Sequence, residues 1–268
     1  MAYVKFDTPG KGVLVDLTKC VGCGSCSLAC KLWNDLGHDD EVPDQGPDAK
    51  LSDKNWTAVK FFALEKDNEP VYRFVKNQCL HCQHPACESA CFSRAFQRTE
   101  NGPVVYYPHL CVGCRYCMLA CPFDVPKFQW DKSFPLVTKC QMCSSRVDKG
   151  EAPACVGVCP TNVMTYGDRD ELLAMARKTI ESDDKYIKHI YGEHEAGGTN
   201  WLYISDIPFE KLGFRTDVTT RPIQEYSHEF LKYTPPVIVA WGGLLSAMYV
   251  YTKRRKEVAG KDKKDVPM

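Results

Sequence analysis

The sequence predicts an α+β fold in which two pseudo-symmetric metal-binding units are followed by a C-terminal transmembrane helix. Three observations lead to this prediction. Sixteen cysteines fall in four groups of four, short strand-like segments flank these groups, and eighteen consecutive residues near the C-terminus carry no charge. The 268 residues contain 34 basic and 34 acidic side chains, so the formal net charge is zero. This balance does not indicate nucleic acid as a partner.

The spacing of the cysteines predicts iron–sulfur chemistry. Groups one and three have the pattern CxxCxxCxxxC, in which three thiolates bind one 4Fe–4S cube and the fourth thiolate binds a second cube. Groups two and four keep the opening CxxC and the closing CxxxC around a longer gap. At four ligands per cube, the sequence predicts four 4Fe–4S clusters as cofactors. The groups are Cys20, Cys23, Cys26, Cys30; Cys79, Cys82, Cys87, Cys91; Cys111, Cys114, Cys117, Cys121; and Cys140, Cys143, Cys155, Cys159.

Zinc and disulfide bonds are the alternatives for these cysteines. The spacing of group four alone is also that of a short zinc ribbon, and an even number of cysteines permits a disulfide framework. A tetrahedral zinc ion has no use for a third cysteine in one short loop. Disulfides join separated elements rather than cysteines three positions apart. Groups one and three therefore favour iron–sulfur clusters.

The segments between the cysteine groups predict short strands and few helices. Alternating apolar residues indicate strands over 12–16, 56–62, 71–76, 104–107 and 201–204. Residues 38–50 are acidic and rich in turn formers, which is typical of a surface loop. Asp168 and Glu171 have the spacing of a capping box and predict the start of a helix. The first sixteen residues show no long apolar run and no pair of arginines, so we do not expect an export signal there.

The four groups form an internal repeat of strand, cluster loop and short helix, the element of a bacterial two-cluster ferredoxin. Because each fourth cysteine serves another group, the groups must pair. Cys121 and Cys159 precede a proline but Cys30 and Cys91 do not, and this disfavours pairing groups three and four without deciding between the other pairings. The predicted domains are a ferredoxin-like body over 1–167, a helix and strand extension packing on the body and on partner subunits over 168–234, a transmembrane helix over 235–252 and a basic tail over 253–268.

The charge-free segment 235–252 is the basis of the membrane prediction. As a helix it would be about 27 Å long, close to the thickness of the hydrocarbon core, and Trp241, Tyr249 and Tyr251 are typical of a membrane interface. A buried or docking helix is the alternative. The basic residues after it predict a cytoplasmic C-terminus and a cluster body on the periplasmic face, exported with a partner that bears a twin-arginine signal. In a second arrangement, the body is cytoplasmic and the basic run contacts membrane lipid.

Basic side chains near the ligands are expected to raise the reduction potentials of the clusters, by positive charge and by N–H donors. Arg115, inside the motif CVGCRYC, is expected to act most directly. Solvated surface charge is the alternative for each of them. For His81 and His84 we expect hydrogen-bonding or surface roles rather than metal ligation. The basic residues are Lys31, Lys76, Arg94, Arg115, Lys127, Lys139 and Arg146.

Several motifs together resemble the four-cluster iron–sulfur beta subunits of molybdopterin oxidoreductases. These are CVGCGSCSLACKLWND, CLHCQHPACESAC, CVGCRYCMLACPFDVPKF, KCQMCSSRVDKGEAPACVGVCPTNVMTYG and GGTNWLYISDIPFEKLGF. Over roughly residues 12–252 the sequence is most similar to the beta subunit of membrane-bound respiratory formate dehydrogenase. The stretch HIYGEHEAGGTNWLYISDIPFEKLG also resembles the beta subunit of a periplasm-facing, quinone-linked nickel–iron hydrogenase.

The resemblance implies the pairing of the cysteine groups. Group one pairs with group four, and group two with group three. Electrons would enter at set one and leave at set four, and the presence of Cys114 implies a complete fourth cube. The implied ligand sets are set one, Cys20, Cys23, Cys26, Cys159; set two, Cys30, Cys140, Cys143, Cys155; set three, Cys79, Cys82, Cys87, Cys121; and set four, Cys91, Cys111, Cys114, Cys117.

The resemblance also implies the function. The chain would conduct electrons between a catalytic molybdenum or tungsten pterin subunit of formate dehydrogenase type and a quinone-reactive integral membrane subunit, with or without haem b. The alternative is the equivalent subunit of a nickel–iron hydrogenase or of another molybdopterin reductase. We find no pairing of a nucleophile with a base and no phosphate-binding glycine motif, so no catalytic site is predicted. An independent carrier would not need a membrane helix, and a structural anchor would not need four redox centres.

Overall fold

The computed structural model describes residues 10–66 and 68–262, with side chains up to residue 257. The start of the segment in which we expect no export signal, residues 1–9, and the end of the basic tail, residues 263–268, lie outside the described residues. The chain divides into two units, one ending at Ile223 and the other beginning at Gln224. The predicted boundary near residue 168 stays a prediction.

The first unit combines short strands with short helices, as the cysteine repeat predicts. Its strands are β1 (Lys11–Asp16), β2 (Gln45–Gly46), β3 (Thr57–Lys66), β4 (Glu69–Gln78), β5 (Phe96–Arg98), β6 (Val104–Tyr106), β7 (Lys127–Phe128), β8 (Val137–Thr138), β9 (Met164–Asp168) and β10 (Trp201–Ile204). The helices of the chain are α1 (Ser25–Asn34), α2 (Ala86–Ser89), α3 (Tyr116–Ala120), α4 (Ser144–Val147), α5 (Ala154–Gly157), α6 (Arg169–Ser182), α7 (Ile223–Leu231) and α8 (Thr234–Asp262). The five predicted strands are all confirmed, within a few residues at their ends.

A three-stranded sheet of order β10–β1–β9 forms the base of the body, with β1 parallel to β10 and antiparallel to β9. Side chains alternate between the two faces of a strand, and in this sheet the side chains of both faces are buried. Val13, Trp201 and Tyr203 belong to the core that also contains cysteines. Leu14 and Leu202 belong to a second core formed with α6. The sheet therefore lies between α6 and the cysteine loops.

The longest hairpin, β3–β4, supports the loops of groups one and two. Its strands pair from Thr57 opposite Gln78 to Lys66 opposite Glu69. The carboxylate of Asp206, which follows β10, accepts hydrogen bonds from Lys66 Nζ at 3.0 Å and from Arg73 Nη2 at 2.6 Å. Burial opposes ionisation, but these two cations lower the pKa of Asp206 to about 2. The hairpin is thereby fixed to the central sheet.

Asp168 precedes α6 as predicted, but the predicted capping box is wrong. Its carboxylate makes no capping hydrogen bond. It accepts instead from Lys11 Nζ at 2.9 Å, across the antiparallel pair of β1 and β9. The reason is that Asp168 also ends β9, where the cross-strand lysine competes for the same oxygen atoms.

The predicted transmembrane helix over 235–252 is also wrong. These residues belong to the longer helix α8. Among the described residues, no helix combines the length and the apolar character that crossing a membrane requires. Two prolines, two glycines, a serine and three interfacial aromatic rings interrupt the aliphatic side chains, and α8 continues directly into Lys253, Arg254 and Arg255.

The predicted localisation, which depends on that helix, is wrong for the same reason. A single-pass membrane protein with a periplasmic cluster body and a cytoplasmic C-terminus needs a spanning helix, and none is found in the described parts of the chain. The prediction of export with a twin-arginine partner depends on the same helix.

Candidate metal centres

The four CxxC loops share one backbone feature. In each loop the residue just before the second cysteine has a positive φ: Gly22, His81, Gly113 and Met142. This left-handed turn directs backbone N–H groups toward the first cysteine of the loop. Gly113 N donates to Cys111 Sγ at 3.4 Å, and Met142 N donates to Cys140 Sγ at 3.3 Å. Such N–H···S bonds stabilise charge on a thiolate.

Short helices place the later cysteines of each group. Cys26 and Cys30 lie one turn apart on α1, Cys87 lies on α2, Cys117 on α3 and Cys155 on α5. The CxxxC spacing separates the third and fourth cysteines of a group by about one helical turn. As a result, the fourth cysteine can face a different site from the first three.

Two cavities in the body are each lined by four cysteines from two different groups. The first is lined by Cys20, Cys23, Cys26 and Cys159. The second is lined by Cys79, Cys82, Cys87 and Cys121. In both cavities three cysteines of one group meet the last cysteine of another group that is far away in the sequence. These are the members of sets one and three.

The cysteines of set two influence one another's pKa values. Burial raises the pKa of Cys30, and negative charge on Cys155 adds to the rise. Burial also raises the pKa of Cys143 to about 11, with contributions from Cys155 and Cys30. The pKa of the fully buried Cys140 is raised in the same way, with Cys30 and Cys155 again among the neighbouring charges.

The cysteines of set four act on the pKa of Cys117 in the same way. Burial raises the pKa of Cys117 to about 12, and the charges on Cys91, Cys111 and Cys114 contribute. The structure therefore brings the members of sets one and three together around two cavities. The cysteines of sets two and four influence one another's pKa values.

Neighbouring sets also approach one another. Cys155 of set two contributes to the raised pKa of Cys26 in set one, whose first cause is burial. Cys79 of set three contributes likewise at Cys140 of set two. Cys117 of set four contributes at Cys87 of set three, after burial and Cys121. These electrostatic influences link set one to set two, set two to set three, and set three to set four.

Exposure distinguishes sets one and four from the other two. Of the sixteen cysteines, all of which the structure describes, Cys23 in set one and Cys114 in set four are exposed. Exposed apolar side chains lie beside each of them in the sequence, Val21 near Cys23, and Val112 and Tyr116 near Cys114. Sets one and four therefore each include one cysteine at the surface.

Two of the predicted basic residues are buried among the cysteines. Lys76 is 4% exposed and Lys139 is 2% exposed. Burial lowers the pKa of Lys76, but the charges of Cys155, Cys26 and Cys140 outweigh it and leave the pKa raised. Lys139 lines the cavity of set three and donates hydrogen bonds to the carbonyl oxygens of Val104 and Cys140.

The remaining basic residues pair with other side chains or face solvent. Arg115, the one expected to act most directly, is exposed and stacks on Trp130, with 5.0 Å between the guanidinium carbon and the ring centroid. Lys31 and Lys127 form ion pairs with Asp44 and Asp124. Arg94 is exposed, and Arg146 pairs with Glu151.

His81 is fully buried, whereas His84 is partly exposed. The backbone N–H of Val104 donates to His81 Nδ1 at 2.9 Å, so Nε2 carries the proton of the neutral ring. Burial keeps the ring neutral because it places the pKa of His81 well below its usual value. In the part of the chain that the structure describes, Nε2 has no hydrogen-bond partner. The hydrogen-bonding role predicted for His81 is therefore the one that the structure shows at Nδ1.

The donor set fits iron–sulfur clusters. In a 4Fe–4S cube each of four cysteines binds a separate iron, and two cavities are each lined by four cysteines. Buried thiols, N–H donors and cavities bordered by four cysteines match that requirement. Fold and site thus define an iron–sulfur protein of ferredoxin type.

Known proteins that are similar in sequence are also iron–sulfur proteins. Residues 19–95 and 70–169 each match a family model described as a 4Fe-4S dicluster domain. Hydrogenase-2 operon protein HybA of Escherichia coli O157:H7 is 34% identical over 247 residues, covering 76% of this chain and 73% of the relative. The formate dehydrogenase iron-sulfur subunit of Haemophilus influenzae is 31% identical over 244 residues, covering 87% and 77%. A protein of Nitratidesulfovibrio vulgaris is 40% identical over 265 residues, covering 94% and 69%.

These relatives identify the family. The chain belongs to the iron–sulfur electron-transfer subunits that include the formate dehydrogenase iron-sulfur subunits and HybA. It carries 4Fe–4S clusters and transfers electrons.

Removing the iron from the purified protein should unfold the first unit. Metal binding and folding are coupled, because the ligands come from distant segments and the thiols are buried. We expect loss of far-UV circular dichroism and rapid proteolysis of residues 10–223 after reduction and chelation, with recovery after reconstitution with iron and sulfide. A mock-treated sample is the control. An iron-free first unit that stays resistant to protease would contradict this coupling.

Proposed function

We propose that the chain holds four 4Fe–4S clusters, bound by sets one to four, and conducts electrons along them between a catalytic subunit and an acceptor subunit. The observation that carries this proposal is the pair of cavities that are each lined by cysteines of two groups, together with the exposure of Cys23 in set one and of Cys114 in set four. The clusters, when bound, supply one-electron carriers whose potentials the protein tunes. The chain's own residues bind, separate and shield them.

The placement of Cys159 and Cys121 supports the crossed ligand sets. Each is the last cysteine of its group and lines a cavity with three cysteines of another group. The neighbours of Cys117 and Cys143 support sets four and two.

The partners are proposed from the relatives. We infer that the catalytic partner is a formate dehydrogenase subunit with a molybdenum or tungsten pterin, because several relatives are named formate dehydrogenase iron-sulfur subunits. We propose that it docks near Cys23, the exposed cysteine of set one. A quinone-reactive membrane subunit, with or without haem b, would accept electrons near Cys114. The alternative is a hydrogenase complex, which the similarity to HybA favours. In either case the bond chemistry belongs to the catalytic partner. Isolation of the complex and assay with formate and with hydrogen distinguish the two.

Metal analysis tests the number of clusters. The purified full-length chain should contain about sixteen irons, four for each of four cubes, and negligible zinc. After reduction, electron paramagnetic resonance should show cubane signals from four centres. A preparation dominated by zinc, or one without paramagnetic cubane signals, would contradict the proposal.

A matched pair of substitutions tests the crossed ligand sets. Cys155 and Cys159 lie four positions apart in one CxxxC motif, but the proposal assigns them to sets two and one. Cys159→Ser should therefore perturb the same cluster signal as Cys20→Ser, and Cys155→Ser the same signal as Cys30→Ser. The measurement is the electron paramagnetic resonance spectrum of each reduced variant. If Cys155→Ser and Cys159→Ser perturb one and the same cluster, the ligand sets are wrong.

Cys114→Ala tests the direction of the row. Loss of this ligand should disturb the set-four cluster and reduce transfer to the acceptor subunit at least tenfold, because that cluster is the last before the acceptor. Oxidation of substrate by the catalytic subunit with an artificial dye should be spared. The control is Glu171→Ala, at an exposed position on α6. Equal loss of both activities in Cys114→Ala would place this cysteine elsewhere in the row.

A further inference from the structure

Lys76 lies between two of the proposed ligand sets. It is on β4, and its side chain lines the cavity bordered by the cysteines of set one. Its ammonium group is within electrostatic reach of Cys26 in set one and of Cys155 and Cys140 in set two. The influence is mutual, because Lys76 opposes the rise in pKa that burial causes at Cys26 and at Cys140.

The partners that hold this ammonium group in place are uncharged. Lys76 Nζ donates a hydrogen bond to Gln78 Oε1 at 3.0 Å and lies 4.3 Å from the ring centroid of Trp201. Gln78 Nε2 donates in turn to the Tyr203 hydroxyl at 2.6 Å, and that hydroxyl donates to the Lys76 carbonyl oxygen at 3.2 Å. Lys76 is thus fixed by a local network that starts and ends on the same residue.

A buried positive charge requires a negative counterpart. Burying an unpaired ammonium group is strongly unfavourable. Among the ion pairs of the described residues, none involves Lys76. The negative charges that act on this ammonium group are those of Cys155 and Cys140 in set two and of Cys26 in set one, which lines the same cavity as Lys76. Because these belong to two sets, one lysine serves two sites.

We propose that Lys76 is a counter-charge shared by sets one and two, which raises the reduction potentials of both clusters together. The inference rests on the proposed ligand sets and goes beyond them. Reduction adds one electron to a cluster, so a fixed positive charge stabilises the reduced form more than the oxidised form. A charge placed between two neighbouring sites shifts both potentials in the same direction. Lys76 acts on the clusters through its positive charge and is not a ligand of either.

The other sets differ in their cations. Lys139 lines the cavity of set three and opposes the rise in pKa that burial causes at Cys87. Lys76 acts on cysteines of sets one and two. We therefore expect its removal to leave the second half of the row unchanged.

The test is Lys76→Met in the full-length protein, followed by a redox titration monitored by electron paramagnetic resonance. At the wild-type midpoint potentials, we expect the ratio of reduced to oxidised cluster to fall roughly tenfold or more for two clusters, the effect of losing one charge at close range. These should be the clusters that Cys159→Ser and Cys155→Ser perturb. The other two midpoints should not move.

Two further variants serve as controls. Lys76→Arg keeps the charge and should keep both midpoints near those of the wild type. Lys60→Met removes a partly exposed lysine of β3 that lies opposite Val75, the residue before Lys76. This substitution should leave all four midpoints unchanged. Four unchanged midpoints in Lys76→Met, or a shift of one cluster alone, would overturn the shared role. So would equal shifts in Lys60→Met.

A measurement on the unsubstituted protein covers the case in which Lys76→Met fails to load its clusters. With lysine labelled with ¹⁵N at Nζ alone, which leaves the backbone of Lys19, Lys31 and Lys139 beside the ligands unlabelled, pulsed electron paramagnetic resonance should detect a nitrogen coupling at the clusters of sets one and two. Its absence at either cluster would overturn the inference. Four intact clusters without the coupling would leave the proposed function standing, whereas fewer than four clusters would contradict the proposed function itself.

Discussion

The structure of the first unit depends on the crossed approach of cysteines that are distant in the sequence. Cys159 lies with the loop of group one, and Cys121 lies with the loop of group two, so that each cavity is closed by a residue from another part of the chain. Six of the sixteen cysteines are buried and eight are partly buried, and burial favours the neutral form of a thiol. Binding to iron provides the charge that a buried thiolate needs, and this couples the cofactors to the fold.

Burial separates two of the predicted basic residues from the other five. Of the seven lysines and arginines expected to act on the clusters, Lys76 and Lys139 are the two that the fold buries. An interaction between charges is stronger where water is excluded. Arg115 occupies the loop of group three and yet faces outward onto Trp130. Position in a motif is therefore a weaker guide to electrostatic influence than position in the core.

The proposed order of the sets rests on electrostatic influence between cysteines of different groups. Cys155 acts on the pKa of Cys26, Cys79 on that of Cys140, and Cys117 on that of Cys87. Cys23 and Cys114, in the sets proposed for the two ends, are the exposed cysteines among the sixteen. The proposed arrangement suits a protein that receives electrons at one surface and delivers them at another. The central sheet separates the cysteine loops on one face from α6 on the other.

The sequence by itself determined the chemistry and the local elements, because cysteine spacing and residue alternation are local properties. It predicted the iron–sulfur clusters, the strands at 12–16 and 201–204 and the helix after Asp168. It failed where distant residues compete: Lys11 takes the carboxylate expected to cap α6, and segment 235–252 is part of a helix too interrupted by polar and small residues to cross a membrane. Residue patterns alone left the pairing of the groups open. Only the tertiary structure decided which cysteines meet and which lysines lose their water, because both depend on contacts between segments far apart in the chain.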